Sequence, residues 1–267
     1  MNLESHLRAR RADGHTLLVP YVTGGLGAGW LDVVRAVVSA GADAVEIGIP
    51  FSDPVMDGAT IQEASQRALE LGATPATIIA EAGGLDVSVP LVVMTYYNPV
   101  QHAGHDRFAS SLAASGIDGA IVPDLPLDEL DGWGDVAAAA GIETVLLAAP
   151  TTTETRLRAI CDRSHGFVYG VALMGVTGER RALATQAGEM GRRCKAVTDM
   201  PVLLGVGIST PEQACEAAES ADGVIVGSAL VRRLLEGGGP ESAADFVAEL
   251  RAALDEQDVR RATESAP

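Results

Sequence analysis

The stretch "EIGIPFSDPVMDGATIQ" (46–62) carries three acidic side chains in an unusual setting. Glu46 stands inside an apolar run, while Asp53 and Asp57 follow in a loop punctuated by proline and glycine. Two carboxylates in different surroundings can divide acid–base work. One is held in an apolar strand with its pKa raised, and the other stays ionised on a loop that can close over a ligand. Burying Glu46 between Val45 and Ile47 is costly unless the carboxylate has a purpose. Asp57 before Gly58 and Asp53 before Pro54 also suit turns, and Asp53 is the one of the three best fitted to a structural or interface role.

Two glycine-bearing runs, "LLGVGIST" (203–210) and "VIVGSAL" (224–230), offer a second kind of chemistry. Small residues where a strand gives way to a helix let an anion reach backbone N–H groups, and the helix dipole favours negative charge there. Gly207, Gly227 and Ser228 are therefore candidates for holding a phosphate, although either run by itself would equally ease a tight turn. Other chemistries lack their residues. The chain has one lysine, Lys195, on a helical segment whose side chains should reach solvent, so a Schiff-base aldolase has no nucleophile. His6, His15 and His165 fall away from strand ends, and His102 and His105 form a loop pair, "HAGH", without the converging acids of a metal centre. No GxSxG or Cys–His arrangement marks a covalent nucleophile. Carboxylate acid–base chemistry remains.

These residues need a scaffold. Along the whole chain, short runs rich in Val, Ile and Leu alternate with Ala-rich segments of helical period. The eight strand candidates cover 16–23, 43–50, 90–97, 119–125, 143–150, 167–173, 201–208 and 223–230, and helix candidates cover 30–40, 60–71, 106–115, 128–140, 153–164, 185–197, 210–220 and 243–254. Gly41, Gly116 and Gly141 end helices as left-handed caps before the next strand. Eight such units close most naturally into an α/β fold of the (β/α)8 TIM-barrel type, with an extra N-terminal helix at 3–11 and another at 75–82. One domain then spans 1–255, and the polar residues 256–267 form a frayed tail. Catalytic groups in such a barrel sit at the C-terminal strand ends, which gathers Glu46, Asp57, Tyr96, Asn98, Asp124 and Tyr169 around one mouth. The usual phosphate site lies in the loops after strands seven and eight, where Gly207, Gly227 and Ser228 fall. Tyr96 and Tyr169 equally suit packing in the barrel, with a phenol that needs a partner.

Composition narrows the setting. With 47% hydrophobic and 21% charged residues over 267 positions, the chain can bury a large core. Thirty-six acids against nineteen bases give a net charge of −17, which disfavours nucleic acid and anionic membranes and suits a soluble, cytoplasmic protein. Cys161, Cys194 and Cys215 are odd in number and far apart, as expected of reduced packing thiols. The N-terminus lacks the apolar core of a signal peptide, and no apolar run reaches membrane-spanning length.

The first stretch closely resembles the signature of the tryptophan synthase α subunit family, Glu-x-Gly-x-Pro-[Phe/Tyr]-Ser-Asp-Pro-x-x-Asp-Gly followed by "TIQ". The similarity continues in "YYNP" (96–99), "PDLPLDE" (123–129), "GVTG" (175–178), "GVGIST" (205–210) and "GSALV" (227–231), spanning the chain from the first strand to the eighth. It implies a (β/α)8 barrel that cleaves indole-3-glycerol phosphate to indole and glyceraldehyde 3-phosphate, a retro-aldol needing no lysine, metal or cofactor. It implies Glu46 as the acid–base carboxylate and Asp57 as the group at the ring nitrogen, with Tyr21 stacking on the indole and Tyr169 in the pocket near Glu46. Tyr96, Asp124 and Thr177 become further substrate contacts, and Gly178 joins Gly207, Gly227 and Ser228 at the phosphate. It also implies a pyridoxal-phosphate β subunit as partner, contacted through Pro50, Asp53 and Pro54.

Two segments depart from the family. The loop after the first strand reads "TGGLGAGW" (23–30) where Thr-Ala-Gly-Asp-Pro is usual, and is expected to be more flexible. Ala172, Leu173 and Met174 precede "GVTG" where a Ser and often an Arg or Lys stand, so weaker closure and weaker activation by a partner are expected. Three readings follow: an α subunit that passes indole to its partner, a free-standing lyase that releases indole, or a catalytically weak binding subunit that activates a β subunit.

Overall fold

The computed structural model describes residues 2–171, 180–205 and 207–264. Eight strands form a closed parallel barrel in chain order: β1 (Leu17–Thr23), β2 (Val45–Gly48), β3 (Leu91–Met94), β4 (Gly119–Ile121), β5 (Glu143–Ala148), β6 (Val168–Val171), β7 (Val202–Gly205) and β8 (Gly223–Val226), which pairs back onto β1. The α-helices are α1 (Leu3–Ala12), α2 (Trp30–Ser39), α3 (Ala59–Glu70), α4 (Pro75–Ala82), α5 (Tyr97–Ala103), α6 (His105–Ala114), α7 (Asp131–Ala139), α8 (Glu154–Arg163), α9 (Arg180–Lys195), α10 (Pro211–Ala218), α11 (Ser228–Leu235) and α12 (Pro240–Glu264). Gly41, Gly116 and Gly141 have φ of 102°, 67° and 78°, the left-handed values expected of their helix-ending positions.

Strand side chains alternate between two cores. Leu17, Val19, Ala44, Val92, Ile121, Val145, Phe167, Leu203 and Ile225 fill the barrel, and Leu3 and Leu7 of α1 join them, closing the N-terminal end. Their strand neighbours Leu18, Val45, Val93, Leu146, Val168, Leu204 and Val224 face the surrounding helices. Period two therefore decides where Glu46 points: Ala44 is inward, Val45 outward, Glu46 inward and Ile47 outward. A carboxylate is placed inside the barrel by the same rule that buries leucines there.

Two short helices depart from the sequence expectation. Residues expected to end the third strand (90–97) and the eighth (223–230) open α5 and α11 instead. Strands buried on both faces read as continuous apolar runs, so periodicity alone does not mark where such a run turns helical. At α5 the switch is local, because Asp124 Oδ1 accepts a hydrogen bond from Tyr97 N–H at 2.8 Å, in the first turn of the helix. The "HAGH" pair is thereby helical, with His102 in α5 and His105 opening α6 across Gly104. His105 bonds Tyr97 Oη at 3.0 Å and Gly132 O at 2.9 Å.

The glycine-rich loop after β1 begins in close contact with its surroundings at Gly24 and Gly25 and is open at Gly27 and Gly29. Gly24 N–H donates to Gly48 O at 2.9 Å, and a Cβ at Gly24 or Gly25 would lie 2.7 Å from Ile78 or Ala73. Glycine here supplies close approach of the loop to α4 and to Ala73 just before its N-cap.

The polar C-terminal segment is helical through Glu264 as the end of α12, and Asp258 within it is tied to the barrel floor. Asp258 accepts from Thr16 N–H at 2.7 Å and from Thr16 Oγ1 at 2.6 Å, and Arg251, 10% exposed, reaches Thr16 O, Asp43 and Asp255. Asp43 also receives Arg10 at 2.7 Å and Leu18 N–H at 2.9 Å. Removing one carboxylate from this network leaves Thr16 N–H without its acceptor. Asp258→Ala is expected to lower unfolding free energy by about 1.5–3 kcal/mol, the range for hydrogen bonds to a charged group, measured by urea denaturation.

Candidate active site

The C-terminal mouth of the barrel is built around Glu46. In β2 it lies beside Tyr21 of β1 in the strand register, is 1% exposed, and neither carboxylate oxygen has a hydrogen-bond partner. Burial first, and the charge of Asp57 second, push its pKa up to about 8. Tyr169 of β6 also points inward, since Phe167 and Tyr169 join the interior cluster while Val168 faces the helices. Both phenols are held above their ordinary pKa by burial and by the neighbouring carboxylates, Asp57 and Glu46 at Tyr21 and Glu46 foremost at Tyr169.

Glycines one layer above make room for these rings. A Cβ on Gly48 would sit 1.8 Å from Tyr21 Oη, and one on Gly205 would sit 2.5 Å from the ring of Tyr169. Gly48 and Gly205 take the next inward positions after Glu46 and Leu203, so the phenols occupy space that side chains would fill. The sequence reading named the tyrosines and missed these glycines. The signal was the period-two spacing of each glycine from an inward residue.

Asp57 lies in the loop between β2 and α3, partly buried, with its pKa raised to about 6 by burial, an effect that a hydrogen bond from Tyr96 reduces. Tyr96, 3% exposed, also accepts from Met56 N–H at 2.9 Å and stacks on Phe51 with ring centroids 5.1 Å apart. Gln62, the glutamine of "TIQ", donates from Nε2 to Asp57 O at 2.9 Å, which holds the loop from below. At neutral pH the site therefore pairs a protonated Glu46 with an ionised Asp57. Of the other expected substrate contacts, Asp124 is exposed and serves the start of α5. Thr177 and Gly178, with Ala172, Leu173 and Met174, lie outside the described residues.

Gly207 follows β7 with φ of 71°, a backbone that favours glycine, and Gly227 is the N-cap of α11 with Ser228 as its first residue. A Cβ on Gly227 would meet Tyr21 Cβ at 3.3 Å, so small residues bring the α11 N-terminus against the aromatic wall of the mouth. As at any helix start, the first N–H groups of this short helix after β8 have no acceptor within the helix itself.

Along the proposed contact loop, Pro50 is buried and Asp53 is exposed, with Ser52 Oγ donating to it at 2.6 Å. Val55 and Met56, which the sequence reading did not single out, are 79% and 57% exposed beside Pro54. Lys195 is bound to Asp222 at 2.7 Å, just before β8 and away from the mouth. Among the described residues one His/acid grouping has metal-ligand spacing, His15, Asp255 and Asp258, at the opposite end, where Asp258 already serves Thr16 and Arg251. No helix among the described residues is long and apolar enough to cross a membrane.

Comparison with known proteins agrees with this architecture along nearly the whole chain. The Tryptophan synthase alpha chain family profile matches residues 7–261. The tryptophan synthase alpha chain of Thermobifida fusca is 42% identical over 262 residues, covering 94% of this chain and 97% of its own, and that of Chloroflexus aggregans is 45% identical over 229 residues, covering 84% and 86%. A chain in the structure of Mycobacterium tuberculosis tryptophan synthase superposes with a TM-score of 0.87 at 39% identity, covering 94% of this chain and 97% of its own. Tryptophan synthase subunit alpha from Legionella pneumophila superposes with a TM-score of 0.84 at 32% identity, covering 96% and 99%. A buried strand carboxylate, a loop carboxylate and small residues at the last two strand ends thus occur in a chain that belongs to the tryptophan synthase alpha chain family.

Proposed function

We propose that this chain, a carbon–carbon lyase by its family, cleaves indole-3-glycerol phosphate at the mouth with Glu46 moving the proton. The observation that carries the reading is a buried carboxylate with no hydrogen-bond partner, in register with Tyr21 near the C-terminal ends of the strands. Protonated Glu46 gives its proton to indole C3. The resulting positive charge at the ring nitrogen is met by ionised Asp57, and Glu46, now a carboxylate, takes the proton of the side-chain hydroxyl as the C–C bond breaks. The bonding pair returns to the ring, indole and glyceraldehyde 3-phosphate form, and Glu46 ends protonated as it began. Tyr21 and Tyr169 flank the ring, and Gly207, Gly227 and Ser228 hold the phosphate through backbone N–H groups. Loop residues Asp53 and Pro54 contact a pyridoxal-phosphate β subunit, with the exposed Val55 and Met56 extending that surface. The net charge of −17 suits a cytoplasmic enzyme of small anionic substrates held by local fields.

Replacing Glu46 with Gln preserves shape and removes proton transfer, so kcat should fall on the order of 10²–10⁴-fold while substrate-analogue binding survives. Near-normal turnover would sink the assignment. The same variant carries a stability signature. Glu46 holds its proton to about pH 8 when folded against 4.5 ordinarily, so the unfolded chain ionises first and stability declines as pH rises between those values. Glu46→Gln should remove that decline, raising Tm relative to the parent at pH 8 and leaving it little changed at pH 4.5.

The kcat/KM profile should fall on its basic side near pH 8 as free Glu46 ionises. Because the Asp57 charge raises the Glu46 pKa, Asp57→Asn should move that limb to lower pH in residual activity. An unmoved limb would assign it to another group.

Partner binding is tested by titrating a tryptophan synthase β subunit against the lyase rate and sedimenting the mixture. Complex formation with a raised rate is expected, because a partner that favours the closed Asp57 loop shifts its population. Fast turnover alone with no complex at micromolar concentrations would establish the free-standing lyase.

A further inference from the structure

Helices α3 and α11 both begin at the mouth and run away from it side by side, one following the Asp57 loop and the other the Gly227–Ser228 turn. They share a small apolar cluster of their own, separate from the barrel interior and the main helix layer: Ala64 and Val231 are buried with Tyr21, and Ile61 and Leu235 pack on them. Arg232 of α11 spans the mouth end of this contact. Its Nη2 donates to Thr60 Oγ1 at 2.5 Å and its Nη1 to Glu63 Oε2 at 3.3 Å, so one guanidinium grips the first two turns of α3. Further along, Arg67 of α3 reaches Leu235 O at 3.5 Å.

The direction of Arg232 follows from helix geometry. Side chains lean toward the helix N-terminus, so a residue one turn into α11 reaches the level of the mouth and meets Thr60, three residues after Asp57. From α3, Gln62 then holds the Asp57 carbonyl. A continuous set of contacts thus runs from the α11 N-terminus through Arg232, Thr60 and Gln62 to the loop that carries Asp57.

We propose that Arg232 is a positioning residue that makes occupation of the α11 N-terminus by a phosphate ester set the placement of the Asp57 loop. This rests on the reading of Gly227 and Ser228 as the phosphate site. Arg232 touches neither the substrate nor the reacting atoms. It acts by fixing α3 to α11, so that a ligand which orders one helix start orders the other. A planar fork that serves two acceptors is what this bridge requires, and lysine offers only a point charge.

The test is amide hydrogen exchange of the full chain with and without glycerol 3-phosphate, beside calorimetric binding and steady-state kinetics, for the parent, Arg232→Ala and Arg232→Lys. In the parent, the ester should protect amides at 227–230 and also at 54–60. Arg232→Ala should bind the ester within about twofold of the parent and keep protection at 227–230, yet lose it at 54–60. Its kcat should fall about tenfold with little change in KM, a part of the ~10²-fold that a 1 Å misplacement can cost. Arg232→Lys should recover part of both effects. Retained protection at 54–60 in Arg232→Ala with ester binding intact would overturn the bridge. Absence of protection at 227–230 in the parent would instead overturn the phosphate site and the proposal with it.

Discussion

A carboxylate inside a closed parallel barrel is the constraint around which this molecule is arranged. Eight strands buried on both faces admit only the period-two choice between interior and helix layer, and Glu46 falls on the interior side with no partner for either oxygen. Left in water it would be an ordinary acid. Held here its pKa rises to about 8, so it keeps its proton through neutrality at the price of local stability.

The surroundings of Glu46 maintain that state by shape and charge together. Tyr21 and Tyr169 point inward beside Glu46, and their rings fit only because Gly48 and Gly205 leave the next inward positions empty. Asp57 supplies the negative charge nearby but remains on a loop with more solvent, so the two acids stay in different protonation states. Tyr96, Met56 and Gln62 hold that loop through its carboxylate and its backbone. The acid pair is thus a product of packing at the mouth, and no other ionisable side chain has to supply it.

The two ends of the barrel divide the work. At the N-terminal end, Asp43, Arg251, Arg10, Asp258 and Thr16 form one network of hydrogen bonds and ion pairs, and Leu3 and Leu7 seal the interior. At the C-terminal end, polar groups are left unpaired or placed on loops. Paired charges tie the scaffold together at one end, while at the other the buried Glu46 oxygens have no hydrogen-bond partner.

Much of this was legible in the residues alone. The eight strand–helix units, the left-handed glycine caps and the pairing of a strand carboxylate with a loop carboxylate are local patterns, and local patterns survive in one dimension. The starts of α5 and α11 were not legible, since an apolar run buried on both faces carries no mark of where it turns helical. Nor were the Tyr21–Gly48 and Tyr169–Gly205 fits, the grip of Asp258 on Thr16, or the Arg232 bridge between α11 and α3. Each of these joins elements of different units, from neighbouring strands to opposite ends of the chain. Sequence determined which residues could act and on which side of a strand they lie, and the assembled barrel decided which of them meet, because contacts between units exist only once strands have paired in register and the last has closed on the first.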